Sequence, residues 1–407
     1  MKIVYYVLFV ITLIYALYYV LTGIRSFFKV KKIKNSEPKN RFAVLIAARN
    51  EANVITDLIN SLKNQDYPKD LFDIYVLPNN CTDNSVEILE KIDGIKIIEQ
   101  KKSIIKSKAD ALRKMFSYLK KDNYDAYLIF DADNIVHPNF IKRMNDAINS
   151  GYSVAQGFRD SKNISDNWIT KSYTLYYYMQ NFFFNKSRMG YNSSASINGT
   201  GFMIKKSVIE KLGFPTVSLT EDLEFTAICA INNIKIAYVS DAITYDEHPT
   251  KFMDSWKQRK RWSSGILECR KLYTTKLIKA FFKHHNMASM DIMLNFQAPI
   301  IQILGLISTI LLMTFKLSGV VLTDIFSYMF NYPLLFTVVL FLLTCVTCIF
   351  ILIHYNKTLK KMTSGILLYS IFILTWIPIN VICLFRKVET WDEIKHDRSI
   401  DINNLIK

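Results

Sequence analysis

The chain has 407 residues, of which 50% are hydrophobic, 14% aromatic and 21% charged, with a net charge of +16 and six cysteines. So much apolar surface excludes a disordered chain, and six cysteines diluted over this length exclude a disulfide scaffold. The basic balance fits nucleic acid, an anionic membrane or a phosphorylated substrate, and the positions of Lys and Arg decide among them.

Residues 3–28 are apolar apart from Arg25, and about 20 such residues span a bilayer. The stretch is longer than a signal-peptide core and lacks a small-x-small cleavage site, so residues 1–28 are expected to form an uncleaved membrane anchor. Lys29, Lys31, Lys32 and Lys34 follow it and only Lys2 precedes it. The positive-inside rule then places the N-terminus outside and residue 30 onward in the cytoplasm.

Residues 39–250 contain no comparable apolar run and are expected to form a cytoplasmic domain. A β run at 42–47 leads into Ala48-Arg49-Asn50-Glu51, and then a helix with apolar positions Val54, Ile55, Leu58, Ile59 and Leu62. A strand at 73–77, the polar loop 78–85, a helix, a strand at 95–98, a helix at 108–118 and a strand at 126–130 follow. Strands alternating with helices predict an α/β fold with a parallel sheet covered on both faces. Ligands bind beyond the carboxyl ends of such strands, so the loops 48–51, 78–85 and 131–133 are expected to converge.

Asp131 and Asp133 follow the 126–130 strand as an Asp-x-Asp pair. They suit a hard divalent ion shared with phosphate oxygens, or else cap a turn. His137 nearby is either a further ligand or a structural histidine. Residues 168–184 hold Tyr173, Tyr176, Tyr177, Tyr178, Phe182 and Phe183, which fits a membrane-surface helix and an aromatic core helix equally. Asn198-Gly199-Thr200-Gly201 is a loop where backbone approaches a ligand closely. Thr220-Glu221-Asp222 opens a helix, and Asp222 is either a general base or a helix cap.

A basic band with interleaved aromatics occupies residues 251–285 and is expected to form interfacial amphipathic helices on anionic lipid. Within it, Gln258, Arg261 and Trp262 offer an amide, a guanidinium fork for diphosphate and an indole for a sugar ring. The alternative is an interface Trp among snorkelling cations. Residues 286–385 carry three further apolar stretches, at 292–315, 334–354 and 364–385. Three spans after a cytoplasmic domain put the 386–407 tail outside, yet Arg386, Lys387, Lys395 and Arg398 argue for inside. Either the tail defies the rule or one span is re-entrant. Cys345 and Cys348 lie within an apolar stretch and read as packing residues rather than metal ligands.

In order, Asp83, Asp131-x-Asp133, Thr220-Glu221-Asp222 and Gln258-x-x-Arg261-Trp262, flanked by membrane spans, closely resemble the membrane-bound family 2 glycosyltransferases. Cellulose, hyaluronan and poly-N-acetylglucosamine synthases and ceramide glucosyltransferase belong to that group. The resemblance covers about residues 40–265 in its motifs. It implies a GT-A (Rossmann-like) domain in which Ala48, Arg49, Glu51, Asn79, Asp83, Lys108, Asp131 and Arg261 bind the nucleotide-sugar donor. It further implies Mg²⁺ or Mn²⁺ on Asp131 and Asp133, Asp222 as catalytic base, and Gly199, Glu221, Gln258 and Trp262 at the acceptor. Two departures stand out: Asn79 where the family commonly has Asp, which weakens recognition of a uridine nucleotide, and Ala47 where it often has Pro.

The function expected from the resemblance is inverting transfer from a nucleotide-sugar, a UDP-sugar first, to a growing polysaccharide at the cell membrane, with a possible accessory export subunit or homo-oligomer. Single addition to a membrane lipid is the alternative. A transporter or receptor with a basic cytoplasmic domain would give Asp133 no role. A nucleic-acid partner is not expected, since the densest basic band adjoins membrane spans rather than a groove-reading helix.

Overall fold

The computed structural model describes residues 1–28, 30, 33–99, 105–190, 193–319, 332–386, 388, 398–400 and 402–405. Lys29, Lys31 and Lys32 of the basic stretch, and Lys387, Trp391 and Lys395 of the tail, lie outside the described residues.

Helix α1 (Lys2–Ile24) precedes an eight-stranded sheet of order β3-β2-β1-β4-β7-β6-β8-β5. Its strands are β1 (Phe42–Ala48), β2 (Phe72–Pro78), β3 (Lys96–Ile97), β4 (Ala126–Asp131), β5 (Ile135–Val136), β6 (Val154–Ser161), β7 (Phe202–Lys205) and β8 (Ile236–Asp246). The half built from β3, β2, β1 and β4 is parallel, as its strand–helix alternation predicts. The other half corrects the all-parallel expectation. β7 runs antiparallel to both β4 and β6, β6 and β8 are parallel, and β5 is antiparallel to β8. The sheet is therefore mixed.

Helices α2 (Ile55–Lys63), α3 (Ser85–Glu90), α4 (Lys108–Tyr118), α5 (Phe140–Asn149), α6 (Trp168–Met179), α7 (Lys206–Leu212) and α8 (Glu221–Ile231) surround the sheet. Alternate residues of β1 serve opposite faces. Phe42, Val44 and Ile46 join one apolar cluster with α2 and α5, and Ala43 and Leu45 join the other with α4 and α6. The second cluster continues without a break into Phe296, Cys348, Ile351 and Phe372 of the apolar helices, so one core joins sheet and C-terminal region.

Between the two readings of residues 168–184, the structure favours the core. Tyr173, Leu175, Tyr177, Tyr178 and Phe182 are buried between the sheet and the C-terminal helices. The 251–285 band forms one continuous helix, α9 (Phe252–His284), rather than several. It is followed by α10 (Met287–Leu317) and by the helices Pro333–His354, Leu359–Leu374 and Trp376–Phe385. Among the described residues, four segments are long and apolar enough to cross a membrane: Lys2–Phe27, Met287–Leu317, Leu335–His354 and Leu359–Phe385.

Candidate active site

A cavity of about 240 Å³ lies beyond the carboxyl ends of β1, β2 and β4. Ala48, Arg49 and Glu51 reach it from the turn after β1, Asn79 from the end of β2, and Asp131 and Asp133 from the end of β4. Lys108 comes from the start of α4, Gly199 from the loop before β7, and Glu221 and Asp222 from the first turn of α8. Gln258, Arg261 and Trp262 reach in from α9. The convergence expected of the loops thus occurs at 48–51 and 131–133.

The 78–85 loop converges only at Asn79. Asp83 is exposed and does not line the cavity, because its carboxylate is spent on the loop itself, accepting from the Ala52 and Ser85 backbone N–H groups at 3.2 and 3.0 Å. His137 also stands apart, half-buried, its Nδ1 accepting from the Asn139 N–H at 3.3 Å.

Lys108 is fixed by a capping box. Ser107 accepts from the Asp110 N–H at 3.1 Å and Asp110 accepts from the Ser107 N–H at 3.1 Å, which caps the helix so that Lys108 is its first residue. Its ammonium pairs with Asp131, donates to the Gly199 carbonyl at 2.7 Å and lies 4.0 Å from Glu221 Oε1. Burial alone would lower the Lys108 pKa, but Asp131, Glu221 and Asp222 outweigh it and the pKa is raised. The lysine stays charged and neutralises a carboxylate-rich wall. Gly199 has φ +83°, and a Cβ there would stand 3.6 Å from Asp222 Oδ2. Glycine therefore serves the left-handed backbone that aims its carbonyl at Lys108.

Glu221 and Asp222 sit side by side in the first turn of α8, whose cap position is Thr220, so Asp222 is not the cap. Desolvation pushes Glu221 up to about 7, with the Asp222 charge adding to it and Lys108 opposing. Desolvation likewise raises Asp222, against the Leu223 backbone N–H and the Lys108, Arg261 and Arg159 charges. A folded pKa of Glu221 above its ordinary value means stability that is present at acid pH and lost as pH rises toward and through 7. We expect the melting temperature of the protein to fall across that window and the Glu221→Gln variant to lose much of that dependence. Parallel pH profiles of the two would contradict the placement of Glu221.

Arg159, Asp246 and Trp376 are among the lining residues that sequence reasoning misses. Arg159 on β6 pairs with Asp246 on β8 through Nε at 2.9 Å and through Nη2, and its Nη1 donates to the Asn198 carbonyl at 2.7 Å. The guanidinium stacks 4.1 Å from the Tyr177 ring centre. Trp376 stacks at 6.2 Å on Trp262 and at 6.3 Å on Tyr176, giving the cavity an aromatic wall. The available signal for Arg159 was the charged pair Arg159-Asp160 following Val154, Ala155 and Phe158 in one strand, since buried charge requires a partner.

Among the residues that line the cavity, Asn79 Oδ1 and Gln258 Oε1 are buried amide oxygens without a hydrogen-bond partner. Unsatisfied buried acceptors of this kind fit N–H or O–H donors on a ligand. Among the described residues no group of three or more His, Cys, Asp or Glu is placed to hold a metal. The Asp131 and Asp133 carboxylates on one wall still fit an ion of the Mg²⁺ kind, which takes one or two protein carboxylates and completes its shell with substrate phosphates and water.

Residues 38–265 match the family described as glycosyltransferase like family 2. The probable glycosyltransferase YdaM of Bacillus subtilis is 29% identical over 272 residues, 61% of this chain and 60% of that protein. The beta-monoglucosyldiacylglycerol synthase of a Nostoc species is 23% identical over 245 residues, 58% of this chain and 50% of that protein. The chain thus matches 50–60% of the length of these relatives. Among solved structures, the mannosyltransferase PcManGT of Pyrobaculum calidifontis, in complex with GDP-Man and Mn²⁺, superposes with a TM-score of 0.63 at 13% identity, over 94% of this chain and 99% of that one. Family match and sheet agree: the chain belongs to glycosyltransferase-like family 2, has the GT-A fold and carries helices apolar enough to span a membrane.

Proposed function

We propose that the protein transfers a sugar from a nucleoside-diphosphate sugar to a membrane lipid, inverting the anomeric carbon, with the catalytic domain on the cytoplasmic face of the cell membrane and the chain crossing it more than once. The observation that carries this reading is that Asp222, the donor-side Asn79, Lys108, Asp131, Asp133 and Arg261, and the acceptor-side Gly199, Glu221, Gln258 and Trp262 share one cavity. The Asn79 carbonyl oxygen suits the N3–H of a uracil, which keeps a UDP-sugar the first donor to test. Arg49 and Glu51 border the nucleotide end.

In the mechanism, Asp222 takes the proton of an acceptor hydroxyl as that oxygen attacks C1 of the donor sugar. The bond from C1 to the diphosphate oxygen breaks, and the growing negative charge meets Arg261 and Lys108. Trp262 and Gln258 hold the acceptor. A Mg²⁺ or Mn²⁺ ion on Asp133, with Asp131, supplies further positive charge to the diphosphate when bound. Asp133→Ala is therefore expected to abolish metal-dependent donor affinity in calorimetry, and an unchanged affinity refutes the ligand role.

A second reading, processive polysaccharide synthesis with export through an oligomer or accessory subunit, draws on the Gln258-x-x-Arg261-Trp262 motif and on the core shared by sheet and apolar helices. The lipid reading is preferred because Trp376, from an apolar helix, shares the cavity with Trp262. The test is to incubate purified protein with a panel of nucleotide sugars, Mg²⁺ or Mn²⁺ and membrane lipid. Release of nucleoside diphosphate picks the donor, and mass spectrometry of the product separates a single glycolipid from a ladder. No diphosphate release from any donor refutes both readings.

A further inference from the structure

We infer that the apolar segment Leu359–Phe385 does not cross the bilayer but lies in its catalytic-side leaflet, along the membrane-facing side of the active-site domain, and returns the chain to the side it came from. The inference rests on the membrane reading of the chain, not on its sugar chemistry.

The segment touches the catalytic domain at its beginning and α9, which reaches into the cavity, at its middle and end. Just before it, Lys357 Nζ bonds Asp160 of β6 at 3.0 Å. Lys171 of α6 donates to Ser364 at 3.0 Å, and Gly365 packs so closely on Lys171 that a Cβ there would meet it at 2.6 Å. At the break between the two helices, the buried Arg259 of α9 donates to the Phe372 carbonyl at 3.1 Å and to Thr375 Oγ1 at 2.5 Å. Asn380 accepts from Ser263 at 2.5 Å, and the Val388 N–H reaches Ser264 Oγ at 3.3 Å.

A straight helix of this length extends about 40 Å at 1.5 Å per residue, so a crossing helix would finish a bilayer away from its start. This one finishes on α9, beside the residues that supply Arg261 and Trp262. The Lys2–Phe27 span shows the opposite pattern. Its Gly23 end meets Phe183 near the sheet, while its distal Tyr5 packs on Phe315, at the far end of α10. The apolar window of Leu359–Phe385 is also 39% buried in protein, against 6% for Lys2–Phe27, 17% for Met287–Leu317 and 22% for Leu335–His354.

The other face of the segment is apolar and bare. Leu367 is 50% exposed, Ile371 52%, Leu374 59% and Phe385 83%. Hydrocarbon is the occupant that fits it, because the flanking Lys360, Lys361 and Arg386 are exposed cations placed to meet anionic headgroups on one side. This topology uses three crossings and puts the basic 386–398 stretch inside, which removes the conflict between span count and tail charge. It also makes the cavity wall at Trp376 a part of the membrane surface, where a lipid acceptor arrives laterally.

The test uses the full chain in bacterial membranes, with a reporter fused after Lys407. Green fluorescent protein should fluoresce and alkaline phosphatase should be inactive, as for the same reporters on the catalytic side. The reverse pattern overturns the inference. A second readout places fluorophores at Leu367→Cys and Phe385→Cys, both outward-facing, in a cysteine-free chain in phosphatidylglycerol vesicles carrying nitroxide lipids of graded depth. Both sites should report the same leaflet at similar depth. A crossing helix separates them by up to about 27 Å along the bilayer normal, and that result also overturns the inference. Neither readout needs turnover, so a failure of sugar transfer is told apart from a failure of this topology.

Discussion

Asp222→Asn is expected to lower sugar transfer by about 10²- to 10⁴-fold while donor binding survives. The Asn side chain keeps the shape and the backbone contact at the start of α8 but cannot accept a proton from an attacking hydroxyl. Desolvation has already lifted the Asp222 pKa, so the native carboxylate is a stronger base than an exposed one. The Leu223 N–H, Lys108 and Arg261 pull that pKa back down, and the two cations also face the donor diphosphate in the proposed mechanism. Incorporation of radiolabelled sugar and calorimetric donor affinity, measured on the same preparation, separate the two effects. Persistent incorporation would remove Asp222 from the base role. Loss of donor affinity together with activity would instead make it part of the donor site.

Much of the catalytic half was readable because its signals are local. The 42–47 apolar run became Phe42–Ala48 and the 108–118 helix became Lys108–Tyr118, the strand ending and the helix starting on a residue that the cavity uses. Local periodicity carries no record of which strand inserts beside which. β7 has four residues and wedges between β4 and β6, more than 40 residues distant in either direction, so its antiparallel pairing was invisible. Asp83 stands outside the cavity lining for a related reason. Order along the chain brings it near the nucleotide loop, but backbone N–H groups at the start of the neighbouring turn compete for its carboxylate. Trp376 was hidden by composition. Its apolar surroundings read as a membrane span, and its stacking on Trp262 and Tyr176 is what turns the indole to the cavity.

The largest stability effect is expected at Arg159, the residue that sequence reasoning missed altogether. Its side chain is 11% exposed and that of Asp246 is 4% exposed, so Arg159→Met strips a buried carboxylate of its guanidinium. Breaking a buried pair from one side costs about 3–5 kcal/mol, because the remaining charge stays desolvated. Asp246 keeps the Asn134 amide at 2.9 Å, and His248 Nδ1 lies 3.5 Å away. That histidine gives the prediction a pH signature. Burial holds its pKa down to about 4, Asp246 pulls it up and Arg159 pushes it down. In the native protein a depressed histidine costs stability as pH falls below the usual imidazole range, since the unfolded chain takes up the proton first. Without Arg159 the histidine protonates more readily beside Asp246 and supplies part of the missing cation. The deficit of Arg159→Met against the native protein should therefore be largest near pH 8 and shrink toward pH 5 in unfolding titrations of the detergent-solubilised protein. The double variant Arg159→Met, Asp246→Asn should lose less than the sum of the two single ones, because neither partner is then left charged and alone. Additive losses, or a deficit that does not change with pH, would mean that the pair and His248 do not form one electrostatic unit beneath the cavity.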